Sequence, residues 1–135
     1  MATETKQRYI EAVGRRKTAI ARVRITPATK ASFVVNDKDV KDYFSTSELQ
    51  LIAQEAISKS EVGEKFTVTV RVLGGGIHAQ AEAVRHGLSR TLVERDENIK
   101  NTLKKLGFLK RDSRQVERKK FGLKKARKAP TWSKR

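Results

Sequence analysis

The chain has 135 residues and a formal net charge of +16, with a sequence pI of about 10.5. It contains no cysteine, which excludes a disulfide scaffold and a metal site built from thiolates. No stretch reaches the roughly 20 apolar residues that a bilayer span needs, and the first residues lack the order of a secretory signal. We therefore expect a soluble, intracellular protein, and its basic composition predicts contact with RNA, DNA or an anionic membrane.

A hairpin is predicted near the start of the chain. Residues 8–14 and 18–26 have the composition of strands, joined by a turn over residues 14–17. In the second strand, apolar side chains from Ala19 to Ile25 alternate with polar ones. This period of two predicts a sheet with one buried face.

A short strand and a helix are predicted next. Residues 33–35 form the strand, and residues 40–44 form one helical turn. Ser45 and Glu48 have the spacing of a capping box, which predicts the start of a longer helix. The apolar side chains that recur along one face of this helix are Leu49, Ile52, Ala53, Ala56 and Ile57.

The next elements complete a body that we assign to residues 1–106. Residues 66–72 alternate as a strand, which the triple glycine ends before a long helix begins at Ile77. A last short helix ends at Gly107, a predicted C′ glycine. The residues expected inside these two helices are Ile77, Ala81, Val84, Leu88, Leu92, Ile99, Leu103 and Leu106. The body is therefore predicted to be α+β, a largely antiparallel sheet with helices packed on one face.

Residues 107–135 are predicted to form a long, extended, basic C-terminal tail. They hold twelve Lys or Arg against Asp112 and Glu117, a net charge of +10. Charges of one sign at this density repel one another and require a polyanion, while aromatic side chains such as Trp132 can stack on bases. The candidate phosphate-binding residues before the tail tip are Lys110, Arg111, Arg114, Arg118, Lys119, Lys120, Lys124, Lys125, Arg127 and Lys128.

The body has three candidate phosphate-binding groups. They are the cations of the predicted hairpin turn, the triple glycine, and a basic shoulder on the long helix. Glycines before a helix can bring backbone N–H groups to a phosphate, or they can simply form a tight turn, and both interpretations stay open. The residues concerned are Arg15, Arg16, Lys17, Gly74, Gly75, Gly76, Arg85, His86 and Arg90.

Catalysis and metal binding are not expected. The Lys-Ser/Thr pair of a P-loop does not follow the glycines. His78 and His86 are about 12 Å apart along one helix, too far to share a metal ion. We therefore predict no enzyme activity, cofactor, metal or small-molecule substrate.

Several motifs together resemble one family, the universal small-subunit ribosomal protein nine, in its bacterial or organellar form. The first half contributes residues 14–19 and 21–23 to this resemblance. The second half contributes residues 74–80, 85–90, 107–112, 117–120, 124–130 and 133–135. Two positions depart from the usual pattern, since Ala79 replaces a glycine and Thr131-Trp132 precedes the terminal Ser-Lys-Arg.

The resemblance implies a fold and a location. The body would resemble the second domain of ribosomal protein five, with a left-handed βαβ crossover, and would lie in the head of the small subunit. The tail would run through the small-subunit rRNA, with Lys134 and Arg135 approaching the peptidyl-site tRNA. Neighbouring ribosomal proteins would be further partners, in a cytoplasmic or organellar ribosome and not at a membrane.

Two other functions stay open as alternatives. Charge alone also fits a nucleoid-type DNA-binding protein. A small phosphotransferase using the glycine loop would instead show saturable nucleotide binding.

Overall fold

The computed structural model describes residues 9–61 and 63–132. Its helices and strands follow the order β1 (Ile10–Arg16), β2 (Ala19–Pro27), β3 (Ser32–Val35), β4 (Lys38–Asp39), α1 (Val40–Tyr43), α2 (Ser47–Ser60), β5 (Phe66–Leu73), α3 (Ile77–Arg95), a 3-10 turn (Glu97–Ile99) and α4 (Lys100–Lys105).

The strands form one five-stranded sheet in the order β1-β2-β5-β3-β4. Every pairing is antiparallel except that of β3 with β5, which is parallel. The connection between these two parallel strands runs through β4, α1 and α2, so the sheet contains a crossover. The predicted mixed α+β architecture is confirmed, while the left-handed sense of the crossover stays a prediction.

The core lies between one face of the sheet and the helices. Inward residues of β2 and β5 are almost completely buried, from Ala19 at 0% exposure to Phe66 at 3%. The predicted inner face of α2 packs here, since Leu49, Ala53 and Ala56 are buried. Alternation along the two central strands therefore identified the buried face correctly.

Helix α3 approaches β1 at backbone distance. A Cβ atom built on Gly14 of β1 would lie 1.9 Å from the carbonyl oxygen of Ala83 and 2.3 Å from the nitrogen of Gly87. Only glycine fits such an approach, because any side chain would push the helix away. The two glycines thus determine where α3 places its polar residues relative to the end of β1.

Several boundaries differ from the sequence prediction. The hairpin turn is Lys17-Thr18, so Arg15 and Arg16 belong to β1 and not to the turn. Helix α2 is capped by Thr46, whose hydroxyl accepts a hydrogen bond from the Leu49 N–H, and the predicted cap at Ser45 is wrong.

Two residues predicted to be inside are exposed instead. Ile77 is 47% exposed at the first position of α3. Leu106 is 42% exposed at the cap position of α4. The inward side of α3 also buries small residues that the apolar pattern did not include, Ala83 and Ser89 among them. A helix packed this tightly buries its small side chains as well as its large ones.

The end of α4 joins the body to the following segment. Gly107 has φ of 79°, its N–H donates to the Lys104 carbonyl, and the Phe108 N–H donates to the Leu103 carbonyl. This hydrogen-bond pair is the Schellman motif, which confirms Gly107 as the C′ residue. Phe108 is buried and packs against the core, so packing continues past residue 106. The division between body and tail stays a prediction.

Candidate nucleic-acid interface

Arg16 points from the inner side of β1 into a cluster of charged groups. Its Nε lies 2.6 Å from Glu82 of α3, and its Nη1 lies 3.6 Å from the Asp112 carboxylate. The same Nη1 donates to the backbone carbonyls of Asp112 and Arg114. The Arg16 side chain is only 12% exposed, so this guanidinium links β1, α3 and the base of the tail. We call Arg16, Glu82, Asp112 and Arg114 the tail clamp.

Asp112 is the acidic centre of the tail clamp. Its carboxylate accepts hydrogen bonds from the Arg114 side chain, the shortest at 2.7 Å, and one from the Arg114 backbone N–H at 3.0 Å. These hydrogen bonds, with the nearby Arg16 charge, hold the pKa of Asp112 far below its usual range. The same pairing raises the pKa of Arg114. Both partners therefore stay charged across the physiological pH range.

Arg85 is also engaged inside the molecule. Its Nη1 lies 3.0 Å from Glu55 of α2, and its Cζ lies 4.8 Å from the ring centroid of Phe108. A guanidinium over an aromatic face is attractive, so Arg85 holds the first tail residue after Gly107 against the helices. The side chain keeps 27% exposure, which leaves part of it available to a ligand.

His86 and Arg90 of α3 bind the backbone of the edge strand. The Nδ1 of His86 accepts a hydrogen bond from the Arg15 N–H at 3.2 Å, and Arg90 donates to the Val13 carbonyl at 2.6 Å. Unpaired edge groups would otherwise attract another strand, and these contacts satisfy two of them. An acceptor at Nδ1 requires the neutral ring.

The pKa of His86 is lowered, in agreement with that neutral state. Burial of the ring is the main cause, and the charges of Arg90 and Arg111 add to it. A hydrogen bond with the Leu109 backbone acts in the opposite direction without outweighing these effects. His86 is therefore a poor source of positive charge for a phosphate at neutral pH.

The triple glycine packs on the hairpin turn. Gly74 and Gly75 have φ of 75° and 66°, and a Cβ on Gly74 would lie 2.7 Å from the Thr18 carbonyl oxygen. The Gln80 amide closes the loop by donating to the Gly74 carbonyl at 3.0 Å. Local geometry thus explains two of the three glycines, while their contact with phosphate stays a prediction. The turn residue Lys17 lies beside them, exposed and with φ of 53°.

Beyond the tail clamp the chain has no regular helix or strand up to Trp132, the last residue that the structure describes. The cations from Lys110 to Lys128 are all exposed. Phe121 and Trp132 are exposed as well, at 106% and 81%. Glu117 pairs with Lys120 at 3.1 Å and with Arg127 at 2.8 Å, a local contact within the segment. Lys134 and Arg135 lie outside the described residues.

Five of the predicted contact residues come together at one place. Arg15, Arg16, Arg85 and His86 line a cleft of about 100 Å³ with Lys110 of the tail. Three carboxylates that pair with these cations were not among the predicted contact residues: Glu55, Glu82 and Asp112. Only Asp112 gave a signal in the sequence, as an acid inside a cationic segment.

A metal centre is not found within residues 9–61 and 63–132, since no group of three His, Asp or Glu is suitably placed. Among the residues that the structure describes, His78 contacts one acid, Glu82, at 3.8 Å. Within the same part of the chain, no helix has the length and apolarity to cross a membrane.

Fold and charge together define a small α+β protein that carries a strongly cationic extension, a class suited to contact with polyanions. The family described as Ribosomal protein S9/S16 matches residues 14–135, and the chain belongs to this family. It is accordingly a ribosomal protein of the small subunit, in a family that is structural and not enzymatic.

Proposed function

We propose that this protein is a structural constituent of the head of the small ribosomal subunit, where body and tail bind small-subunit rRNA. The observation that carries the proposal is the row of exposed cations from Lys110 to Lys128. Phosphate contacts by these residues supply affinity, and the shape of the folded RNA supplies specificity. Neighbouring ribosomal proteins of the head are further partners.

The body fixes the position of the first tail residues. The tail clamp and the Arg85–Phe108 contact hold residues 108–114 against β1 and α3. Only the tail residues after 114 then lose conformational freedom when the tail binds RNA. The entropic cost that RNA contacts must offset is therefore smaller. We assign residues 1–106 to the body and residues 107–135 to the tail.

The phosphate-binding roles divide between two groups of residues. The first group consists of exposed cations that contact phosphates directly. They are Arg15 and Lys17 in the body and the cations from Lys110 to Lys128 in the tail. Arg16, Arg85 and Arg90 of the second group also contact phosphates, and His86 contacts the rRNA as a neutral ring. Each of these four residues already binds a group inside the protein. We assign the terminal residues Lys134 and Arg135 to the peptidyl-site tRNA.

Two truncations separate these roles. Deletion of residues 131–135 leaves incorporation into small subunits intact and weakens binding of peptidyl-site tRNA. Deletion of residues 107–135 impairs incorporation itself. Sedimentation with salt-washed subunits and tRNA filter binding measure the two effects. Unchanged tRNA affinity after the short deletion would refute the assignment of Lys134 and Arg135.

A competition experiment tests the choice of RNA over DNA. The full chain is titrated with folded small-subunit rRNA and with duplex DNA at moderate salt, where unspecific phosphate contacts weaken. We expect a clear preference for the rRNA. A preference for duplex DNA would favour a nucleoid-type protein instead.

A further inference from the structure

A second basic surface lies on the face of the sheet that the helices leave uncovered, which we call the outer sheet face. Arg22 and Arg24 of β2 and Arg71 of β5 project there, with side-chain exposures of 61%, 44% and 63%. Arg15 of β1 shares this face, since it is the register partner of the outward residue Ile20. None of the three arginines of the central strands was among the predicted contact residues.

Two of these arginines are direct neighbours across the sheet. Arg22 pairs with Arg71 in the register of β2 and β5. Side chains at such positions start about 5 Å apart, and like charges placed there destabilise a sheet. The arrangement therefore weakens the isolated fold slightly, and an anionic ligand would relieve this repulsion.

Two carboxylates orient the guanidinium groups. Glu11 accepts a hydrogen bond from Arg24 at 2.9 Å and forms an ion pair with Arg22 at 3.2 Å. Asp37 pairs with Arg71 through both of its oxygens. Exposed pairs of this kind are weak, so a phosphate can compete with them. The four arginines against these two acids leave a charge of +2 on the outer sheet face.

We propose that the outer sheet face binds the backbone of a double-helical RNA segment through Arg22, Arg24 and Arg71. Guanidinium groups donate two parallel hydrogen bonds to a phosphate, and the exposed Thr69 between them offers a hydroxyl to ribose. Helical RNA displays phosphates and 2′-hydroxyls along a wide, shallow minor groove that a sheet face can approach.

The chemistry of the face disfavours unpaired bases as the ligand. Readers of single strands stack bases on aromatic side chains. The outward positions of β2 and β5 carry no aromatic residue. Tyr9, beside the face, already lies against Arg24, with 4.5 Å between Cζ and the ring centroid.

This inference rests on the proposed binding of rRNA, and hydroxyl-radical footprinting of that rRNA tests it. The full chain and the variant Arg22→Gln/Arg24→Gln/Arg71→Gln are each bound to small-subunit rRNA. The matched control is Lys59→Gln/Lys100→Gln/Lys104→Gln, which removes three exposed charges outside the outer sheet face. We expect the arginine variant alone to lose protection of one double-helical segment. Its affinity should fall at least about tenfold, and its salt dependence should flatten by about two to three in log–log slope.

A second variant with one substitution distinguishes loss of RNA contact from a folding defect of the triple variant. Thr69→Glu adds one negative charge to the outer sheet face, and Thr102→Glu on α4 is its exposed control. Thermal melting verifies the fold of each variant. Loss of the same helical protection with Thr69→Glu supports the inference. Footprints that match those of the control variants, or loss of a protected loop instead of a double-helical segment, overturn it. If the unaltered chain protects no rRNA, the proposed function fails as well.

Discussion

Gly14 and Gly87 meet through their backbones, and this contact seats α3 on the edge of the sheet. A Cβ on Gly87 would lie 2.7 Å from the Val23 side chain and 3.0 Å from the nitrogen of Gly14. The contact brings His86 next to the Arg15 N–H and Arg90 next to the Val13 carbonyl. The shape of the basic cleft therefore depends on the absence of two side chains.

Substitution of these glycines should destabilise the body. Gly87→Ala forces overpacking in the core and should lower the free energy of unfolding by roughly 1–3 kcal/mol. Gly63→Ala is the matched control, since a Cβ there meets nothing within 4 Å. Denaturant unfolding at pH 7 measures both variants. Equal stability of the two would contradict the close approach of α3 to β1.

Neutralising Asp112 should loosen the base of the tail. In Asp112→Asn, Arg16 and Arg114 lose the carboxylate that joins them, so residues 108–114 should open more often. We expect trypsin to cleave at Lys110, Arg111 or Arg114 several times faster in this variant.

The control for this experiment is Glu117→Gln, which removes an acid whose ion pairs, among the described residues, lie within the tail segment. Its cleavage at the tail base should match that of the unaltered chain. If both variants are cleaved at the same rate, Asp112 does not anchor the tail.

The lowered pKa of His86 predicts a loss of stability in mild acid. The unfolded state takes up the proton near the ordinary value of 6.5, and the folded state does so only at lower pH. Between these two values the unfolded chain binds more protons, so the free energy of unfolding falls as pH falls. At pH values well above 6.5 His86 is neutral in both states, so its protonation no longer lowers the free energy of unfolding.

Paired histidine substitutions isolate this effect. Chemical denaturation is measured between pH 7.5 and pH 5, a range of about one unit or more on either side of the ordinary histidine pKa. His86→Gln should reduce the pH dependence, whereas His78→Gln, which alters a 60% exposed side chain on the same helix, should keep it. An unchanged slope in His86→Gln would show that the ring is not held neutral by the fold.

Two phenylalanines in the C-terminal segment should behave differently. Phe108→Ala removes a ring buried under Arg85 and should cost about 3–5 kcal/mol of stability. Phe121→Ala alters a fully exposed ring, so stability should change by less than about 0.5 kcal/mol. Affinity for rRNA should fall in Phe121→Ala if that ring stacks on a base. Thermal melting and rRNA titration are the two measurements, and a stable Phe108→Ala would contradict its place in the core.

Much of the fold could be predicted from periodicity. The alternation in β2 and β5 and the apolar stripe of α2 each record burial on one side, and burial is what the structure shows. Errors occurred at element ends, where a cap or a turn depends on one hydrogen bond. Thr46 and Ser45 are chemically similar caps, and only the backbone path selects Thr46.

The candidate site was predicted as a set of cations and not as an arrangement. Residue type identified Arg16, Arg85, His86 and Arg90, but not that each one binds a group inside the protein. Their partners lie far away in the chain, as Glu82 does for Arg16, so no local pattern contains them. The outer sheet face could not be predicted for the same reason, because Arg22 and Arg71 become neighbours only through the pairing of β2 with β5.

The sequence by itself determined the charge of this protein, the sides of its strands and helices that are buried, and the motifs of its family. Those properties reside in residue types and short spacings, which no folding step alters. Only the tertiary structure decided which cations stay available to a ligand and which hold the molecule together. That choice follows from distances between residues remote in the chain, and the close contact of Gly14 with Gly87 brings those residues together.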